Sequence, residues 1–208
     1  MQYPLQLIPI KENLSLFLPI PEEIRTAYGE TLSNDPKTPF PFWAKVWPSS
    51  KAMMAYLEEQ EELFAGKRVL EIGAGTGLPS FSIAKSAASV ILSDHSEEAV
   101  ELMEKNIAHL GLTNVKAMCL DWNHFPEEIK AEVVLLSDIN YAPEQFSSLL
   151  ILIHRFLAEN AVVIIATPQR LLGAPFVEAL LPKVITNQLF YKEDVAIRIL
   201  LLLNHKKE

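Results

Sequence analysis

From Pro48 onward the chain alternates strand-length apolar runs with helix-spaced apolar stripes, and this alternation constrains the fold more than any other feature. Ser49-Ser50 offers an N-cap to a helix carrying Met53, Met54 and Leu57. Lys67–Ile72 reads as a short strand, followed by a glycine-rich turn and a helix from about Pro79. Val90–Ser93 reads as a second strand. Ser96 then caps a helix whose stripe is Val100, Met103, Ile107 and Leu110, and Gly111 ends it. Val115–Leu120, Glu132–Ser137 and Ala161–Thr167 read as further strands, with a helix carrying Phe146, Leu149, Ile153 and Phe156 between the last two. Residues 173–181 read as helix, and Val184–Tyr191 and Val195–Leu203 as two late strands. Strand–helix alternation implies right-handed crossovers and a parallel sheet covered on both faces. The turn Lys192-Glu193-Asp194 is too short for a parallel crossover, so the last two strands must form an antiparallel hairpin. The expected fold is α/β: a doubly wound, mostly parallel sheet of seven strands with an antiparallel C-terminal hairpin.

The first 48 residues differ, because eight of the 14 prolines fall there and exclude a long regular helix. Residues 5–18 read as short strands and Thr31–Pro41 as a loop. The expected division is a Pro-rich extension, residues 1–44, packed on a domain spanning 45–208. A length of 208 residues with 50% hydrophobic side chains is enough for one sizeable core, and 21% charged residues exclude wholesale disorder. The net charge of -8 opposes non-specific binding to phosphate backbones, so no nucleic-acid partner is expected. The single Cys119, read as lying in a buried strand, cannot form an internal disulfide and fits a cytoplasmic protein. Apolar runs such as Ile199–Leu203 are strand-length, so no membrane segment is expected; the N-terminus lacks the basic region of a signal peptide. The histidines His95, His109, His124, His154 and His205 show no ligand spacing, and no metal site is expected.

The sharpest local signal is Val69-Leu-Glu-Ile-Gly-Ala-Gly-Thr-Gly77. Gly73, Gly75 and Gly77 follow a buried strand and precede a helix, where glycine permits positive φ and close approach of a ligand to the backbone. The helix start behind them favours an anionic group. The dinucleotide pattern fails, because Leu78 stands where its third glycine belongs, and no phosphate-loop Gly-Lys-Ser/Thr follows. Glu71 ends the strand facing the turn. Asp94 ends the second strand, 17 residues past Gly77, where a carboxylate suits the two hydroxyls of a ribose. Asp121-Trp122 ends the third strand, pairing a carboxylate for an exocyclic amine with a ring for stacking on adenine.

Glu71-Ile-Gly-Ala-Gly-Thr-Gly77, Asp94 and Asp121 together resemble the class I, seven-β-strand S-adenosylmethionine methyltransferases over roughly residues 45–203. Val46-Trp-Pro-Ser-Ser50, Leu120-Asp-Trp122 and Asp138-Ile-Asn-Tyr141 resemble more narrowly the lysine-methyltransferase branch, which carries a W-P-A/S turn, an L-D-W strand end and a D-x-x-Y motif. The resemblance implies a Rossmann-like methyltransferase fold and S-adenosyl-L-methionine as cofactor. Its cofactor-binding residues would be Trp47, Glu71, Gly73, Gly75, Gly77, Asp94, Asp121 and Trp122, and its catalytic residues Asp138 and Tyr141. It also implies methyl transfer to a nitrogen, with a lysine of a protein substrate as acceptor. Asp138 would capture and orient the amine, and Tyr141 would wall the channel. Two other readings stay open from the sequence: a methyltransferase for a small-molecule amine or N-heterocycle, and an inactive cofactor-binding partner subunit. Phe40, Phe42 and Trp43 are candidate apolar anchors for a partner.

Overall fold

The computed structural model describes residues 3–204, and His205 lies outside the described residues. The chain opens with an antiparallel hairpin of β1 (Leu5–Lys11) and β2 (Leu14–Pro19), a sheet of its own. Next comes α1 (Pro21–Asn34), a 14-residue helix in the stretch expected to hold no long one, and its end takes in Thr31–Asn34, expected as loop. The prolines bracket this helix instead of breaking it. Pro21 sits in the first turn, where its missing N–H is of no consequence, and Pro36 falls beyond the C-cap Asp35. The hairpin is clamped to the main body by one buried residue: Phe17 N donates to Asn106 Oδ1 at 2.7 Å, and Asn106 Nδ2 donates back to Phe17 O at 3.0 Å.

The main body follows the alternation: α2 (Pro48–Glu58), β3 (Arg68–Ile72), α3 (Leu78–Ile83), β4 (Ser89–Asp94), α4 (Glu97–Leu110), β5 (Val115–Cys119), β6 (Val133–Ser137), α5 (Phe146–Ala158), β7 (Val162–Pro168), α6 (Ala174–Leu180), β8 (Val184–Lys192) and β9 (Val195–Leu202). The seven-stranded sheet runs β5-β4-β3-β6-β7-β9-β8, with β3 to β7 parallel. β9 pairs antiparallel with both β7 and β8, as the short turn required. Glu193 and Asp194 both take positive φ, the conformation of a tight two-residue hairpin turn. Two apolar clusters cover the faces of the sheet. Val69, Val133, Leu135 and Ile164 share one with α2, α3 and α4; Leu70, Val134, Leu136 and Ile165 share the other with α5 and α6.

Two local expectations fail. Cys119 is exposed, because β5 is an edge strand with only Val115 fully buried. Ser49 and Ser50 do not cap α2: the helix starts at Pro48, Trp47 holds the N-cap position without a side-chain cap, and Ser50 Oγ donates to Trp47 O. The chain order of β3, between β4 on one side and β6 on the other, makes the carboxyl ends of those strands the topological switch point, where open α/β sheets bind ligands.

Candidate functional site

At the switch point the chain leaves β3 into Gly73-Ala-Gly-Thr-Gly77. All three glycines have positive φ, at 65°, 52° and 71°. A Cβ on Gly75 would stand 3.1 Å from the Trp43 carbonyl oxygen, and one on Gly73 3.2 Å from Ile139 Cγ2 and 3.4 Å from the Trp122 ring. At either position a side chain would be strained by the positive φ and would crowd its neighbour. The Asp94 carboxylate, 5% exposed, pins the loop from the next strand. Its Oδ2 accepts from Gly75 N at 2.9 Å and its Oδ1 from Ser96 N at 3.0 Å. The Asp94 oxygens thus hold the glycine loop and the start of α4 while lining the cleft. His95 Nδ1 lies 3.3 Å from Asp94 Oδ1, and this contact holds the imidazole pKa above its usual value.

The cleft above the loop is lined by Trp47, Gly73, Gly75, Asp94, Trp122, Asp138 and Tyr141, seven of the ten residues expected from the sequence. Trp122 Nε1 donates to Gln145 Oε1 at 3.0 Å, and the ring lies beside the loop, its Cζ3 3.4 Å from where a Cβ on Gly73 would stand. Glu71, Gly77 and Asp121 are not in its lining. Alternation along β3 puts Glu71 on the face of Val69, beneath α3, where Oε2 accepts from Ser80 N. Its Oε1 and the Ser80 hydroxyl have no hydrogen-bond partner among the described residues, and burial pushes the Glu71 pKa up to about 7. Gly77 packs its α-carbon where a Cβ would come within 2.8 Å of the Phe81 ring. Asp121 is spent on its own turn, accepting from Asn123 N at 2.9 Å.

Asp138 follows β6 with φ 58°, a left-handed conformation uncommon for a residue with a side chain and tolerated best by Asp and Asn. Strain of this kind gathers at functional sites. Its carboxylate is 9% exposed and already engaged. Arg170 grips it bidentately, Nη1 to Oδ1 at 2.6 Å and Nη2 to Oδ2 at 3.4 Å, and Ser49 Oγ donates to Oδ2 at 3.2 Å. Asp138 is therefore not the free anion expected for capturing an ammonium. Sequence reading missed both partners, which lie 32 and 89 residues away. Arg170 follows β7, the neighbour of β6, and that strand-end position was the available signal. Asp138 and Arg170 form, with Phe42, Trp47 and Tyr141, a vestibule of about 320 Å3. Its walls are aromatic: the Phe42 ring lies 5.6 Å from Tyr141 and 6.0 Å from Trp47. Lys45 Nζ sits 4.4 Å above the Trp47 ring, a cation–π contact. Burial, helped by the charges of Asp94, Asp138 and Glu144, raises the Tyr141 pKa, so its hydroxyl stays protonated at neutral pH.

The residues fit a nucleoside-bearing cofactor. The glycine loop offers bare backbone, Asp94 offers buried acceptors, and the Ser137 hydroxyl in the lining has no partner among the described residues. The cleft encloses only about 80 Å3. Pockets for ligands of that size hold roughly 300–1,000 Å3. The closure comes from residues 42–47, whose Trp43 backbone lies against Gly75. Among the described residues, no group of His, Cys, Asp and Glu is arranged to hold a metal ion, and no helix is long and apolar enough to cross a membrane.

Comparison with known proteins agrees with this geometry. The N-methyltransferase NodS from Bradyrhizobium japonicum, solved with S-adenosyl-l-homocysteine, superimposes with a TM-score of 0.65 over 85% of this chain and 98% of its own, at 11% identity, a likeness of fold. The human histone-arginine methyltransferase METTL23 is 32% identical over 145 residues, covering 66% of this chain and 76% of that protein. The Arabidopsis thaliana calmodulin-lysine N-methyltransferase is 36% identical over 107 residues, covering 47% of this chain and 35% of that protein. The match to mouse METTL23 spans about half of that relative, 49%. The profile of one family, described as lysine methyltransferase, matches residues 38–180, which include the glycine loop, Asp94, Asp138, Tyr141 and Arg170. By that match the chain belongs to the lysine methyltransferase family.

Proposed function

We propose that this protein transfers a methyl group from S-adenosyl-L-methionine to a side-chain nitrogen of a protein, with lysine as the acceptor. One observation carries the reading: the glycine-loop cleft and the vestibule share Phe42, Trp47, Asp138 and Tyr141 as a common wall. A cofactor held on one side and an acceptor entering from the other would meet at that wall. Gly73 and Gly75 would let the cofactor lie on the backbone, Asp94 would accept from its ribose hydroxyls, and Trp122 would stack on its base. Bound there, the cofactor supplies an electrophilic methyl on a sulfonium, so the protein's task is mainly in-line positioning. Residues 42–47 would have to lift from the glycine loop to admit it.

The acceptor amine must reach the wall unprotonated. For a lysine of ordinary pKa, deprotonation at pH 7 costs about 4–5 kcal/mol. A lone carboxylate would raise that cost by favouring the ammonium. Arg170 removes the difficulty: it neutralises Asp138, which keeps oxygen lone pairs to orient the amine without holding it charged. The aromatic rings of Phe42, Trp47 and Tyr141 exclude water around the lysine stem, and the proton leaves to solvent. A second reading, arginine as the acceptor, is favoured by the Arg170 guanidinium itself, which shows that a planar guanidinium fits bidentately on Asp138. The same proposal takes residues 45–208 as the catalytic domain and 1–44 as an accessory extension, and the site of action as the cytoplasm, in keeping with a single exposed Cys119.

Two measurements test it. Calorimetry should detect S-adenosyl-L-homocysteine binding and no NAD binding. Incubation with methyl-labelled cofactor and lysate from a strain lacking the enzyme should place label in a discrete protein band, on lysine by mass spectrometry. Label on arginine selects the second reading, and label only in acid-soluble small molecules refutes both.

A further inference from the structure

A cavity of about 740 Å3 lies outside the cleft and vestibule, a groove between the β1–β2 hairpin, α1, α2 and the β8–β9 turn. Its floor is apolar, with Ile8, Ile10, Leu18, Ile24 and Met54. Its rim is basic. Arg25, Lys45, Lys51 and Lys192 line it against a single acid, Glu193, and that acid is already paired with Lys51. The local balance is four cations to one anion, in a chain whose net charge is -8. The side chains of Arg25 and Lys192 make no hydrogen bond or ion pair among the described residues. The groove also joins the site: Trp47 lines groove, cleft and vestibule alike.

We infer that this groove docks an extended segment of the protein substrate that carries both apolar and acidic side chains, next to the residue presented to the vestibule. Charge complementarity names the occupant. Apolar side chains of such a segment would cover Ile8, Ile10 and Ile24, and its carboxylates would meet Arg25 and Lys192. Most of the groove lies outside residues 38–180, the part shared with the family: the hairpin and α1 precede it, and Lys192 and Glu193 follow it. Such a surface suits selection of this chain's own substrate, because shared chemistry is then kept apart from private recognition. The assignment of the segment to a substrate rests on the proposed methyl transfer; the docking itself does not.

The test is binding of a fluorescein-labelled random copolymer of glutamate and tyrosine, acidic and apolar in one chain, to the full-length protein by fluorescence anisotropy. The wild type should bind it with an affinity that falls as salt rises, and should bind polylysine far more weakly. Arg25→Glu combined with Lys192→Glu should weaken copolymer binding at least about tenfold, which is about 1.4 kcal/mol. Lys116→Glu, on the exposed edge strand, should not. Cofactor affinity and melting temperature, measured on the same variants, should stay at wild-type values. Absence of copolymer binding, or equal binding by the charge-reversed variant, overturns the docking surface. A change of oligomeric state in that variant overturns it too, in favour of contact with a second copy. Copolymer binding without any S-adenosyl-L-homocysteine binding would leave the groove standing and sink the proposed reaction.

Discussion

Replacing Arg170 by glutamine isolates the electrostatic part of the proposed chemistry. An amine oriented by Asp138 stands ~5 Å from the guanidinium, where one unit charge acts on another with about 3 kcal/mol at an effective dielectric of ~20 and about 0.8 kcal/mol in water. The Arg170 side chain is 39% exposed, so solvent screens it and the effect falls between these limits, about 1–2 kcal/mol. That is roughly one pH unit on the acceptor amine. The sign is fixed. Removing the cation leaves Asp138 as an uncompensated anion, which favours the ammonium and raises the amine pKa. Activity then requires a higher pH: the acidic limb of kcat/KM against pH should move up by about one unit. At pH 7 the rate should fall about tenfold, and the variant should regain the wild-type pH 7 rate at about pH 8. The assay is the initial rate of labelled methyl incorporation into the protein substrate across pH 6–10. Arg170→Lys keeps the charge and should keep the limb near its original position. A uniform loss with an unmoved limb would make Arg170 a structural clamp. A limb moved downward would mean that Arg170 competes with the acceptor. Either result refutes the argument.

Three further outcomes follow from the same geometry. Gly75→Ala places a Cβ 3.1 Å from the Trp43 carbonyl oxygen at φ 52°, a conformation costing about 1–2 kcal/mol for a residue with a side chain, so calorimetry should show at least about tenfold weaker S-adenosyl-L-homocysteine binding. Asp94→Ala removes the acceptor for Gly75 N and Ser96 N, and hydrogen bonds to a charged group contribute about 1.5–3 kcal/mol each. It should therefore lower both the melting temperature and cofactor affinity; loss of either alone would be evidence against the double role. Glu71→Gln tests burial of a carboxyl whose pKa rises from 4.5 to about 7 on folding. The folded state then holds its proton more tightly than the unfolded state, so this contribution to stability is complete below about pH 4.5 and is lost as pH rises through about 7. The stability difference between Glu71→Gln and wild type should grow in favour of the variant across that window, and a flat difference in urea titrations would show that Glu71 ionises freely.

The geometry of the proposed cofactor side was legible because it is carried by contiguous backbone. Gly73 and Gly75 announce positive φ by their spacing, and the strand before them announces which end of the sheet they occupy. Asp94 was read as a strand-end carboxylate, but sequence does not show that Gly75 N and Ser96 N take its oxygens. Glu71 was misplaced for a different reason. Strand alternation already set it on the face of Val69, away from the loop's open side, and nearness in sequence to Gly73 outweighed that period of two. Helix α1 escaped notice because prolines were counted as breakers, although Pro21 and Pro36 stand where they delimit a helix.

The acceptor side was only half legible, and the reason is topological. Asp138 and Tyr141 share one short motif, whereas the groups that set the charge and direction of Asp138 come from elsewhere: Ser49 from the start of α2, Arg170 from beyond β7. In a parallel sheet, residues that end neighbouring strands converge whatever their separation along the chain. The order β3-β6-β7 therefore brings the glycine loop, Asp138 and Arg170 to one edge. A motif search finds an anion at Asp138; the strand order turns it into a neutralised pair. That difference decides how the site handles its acceptor. A lone anion would bind the ammonium and hold it unreactive. On the proposed mechanism, the pair would orient an amine that has already lost its proton.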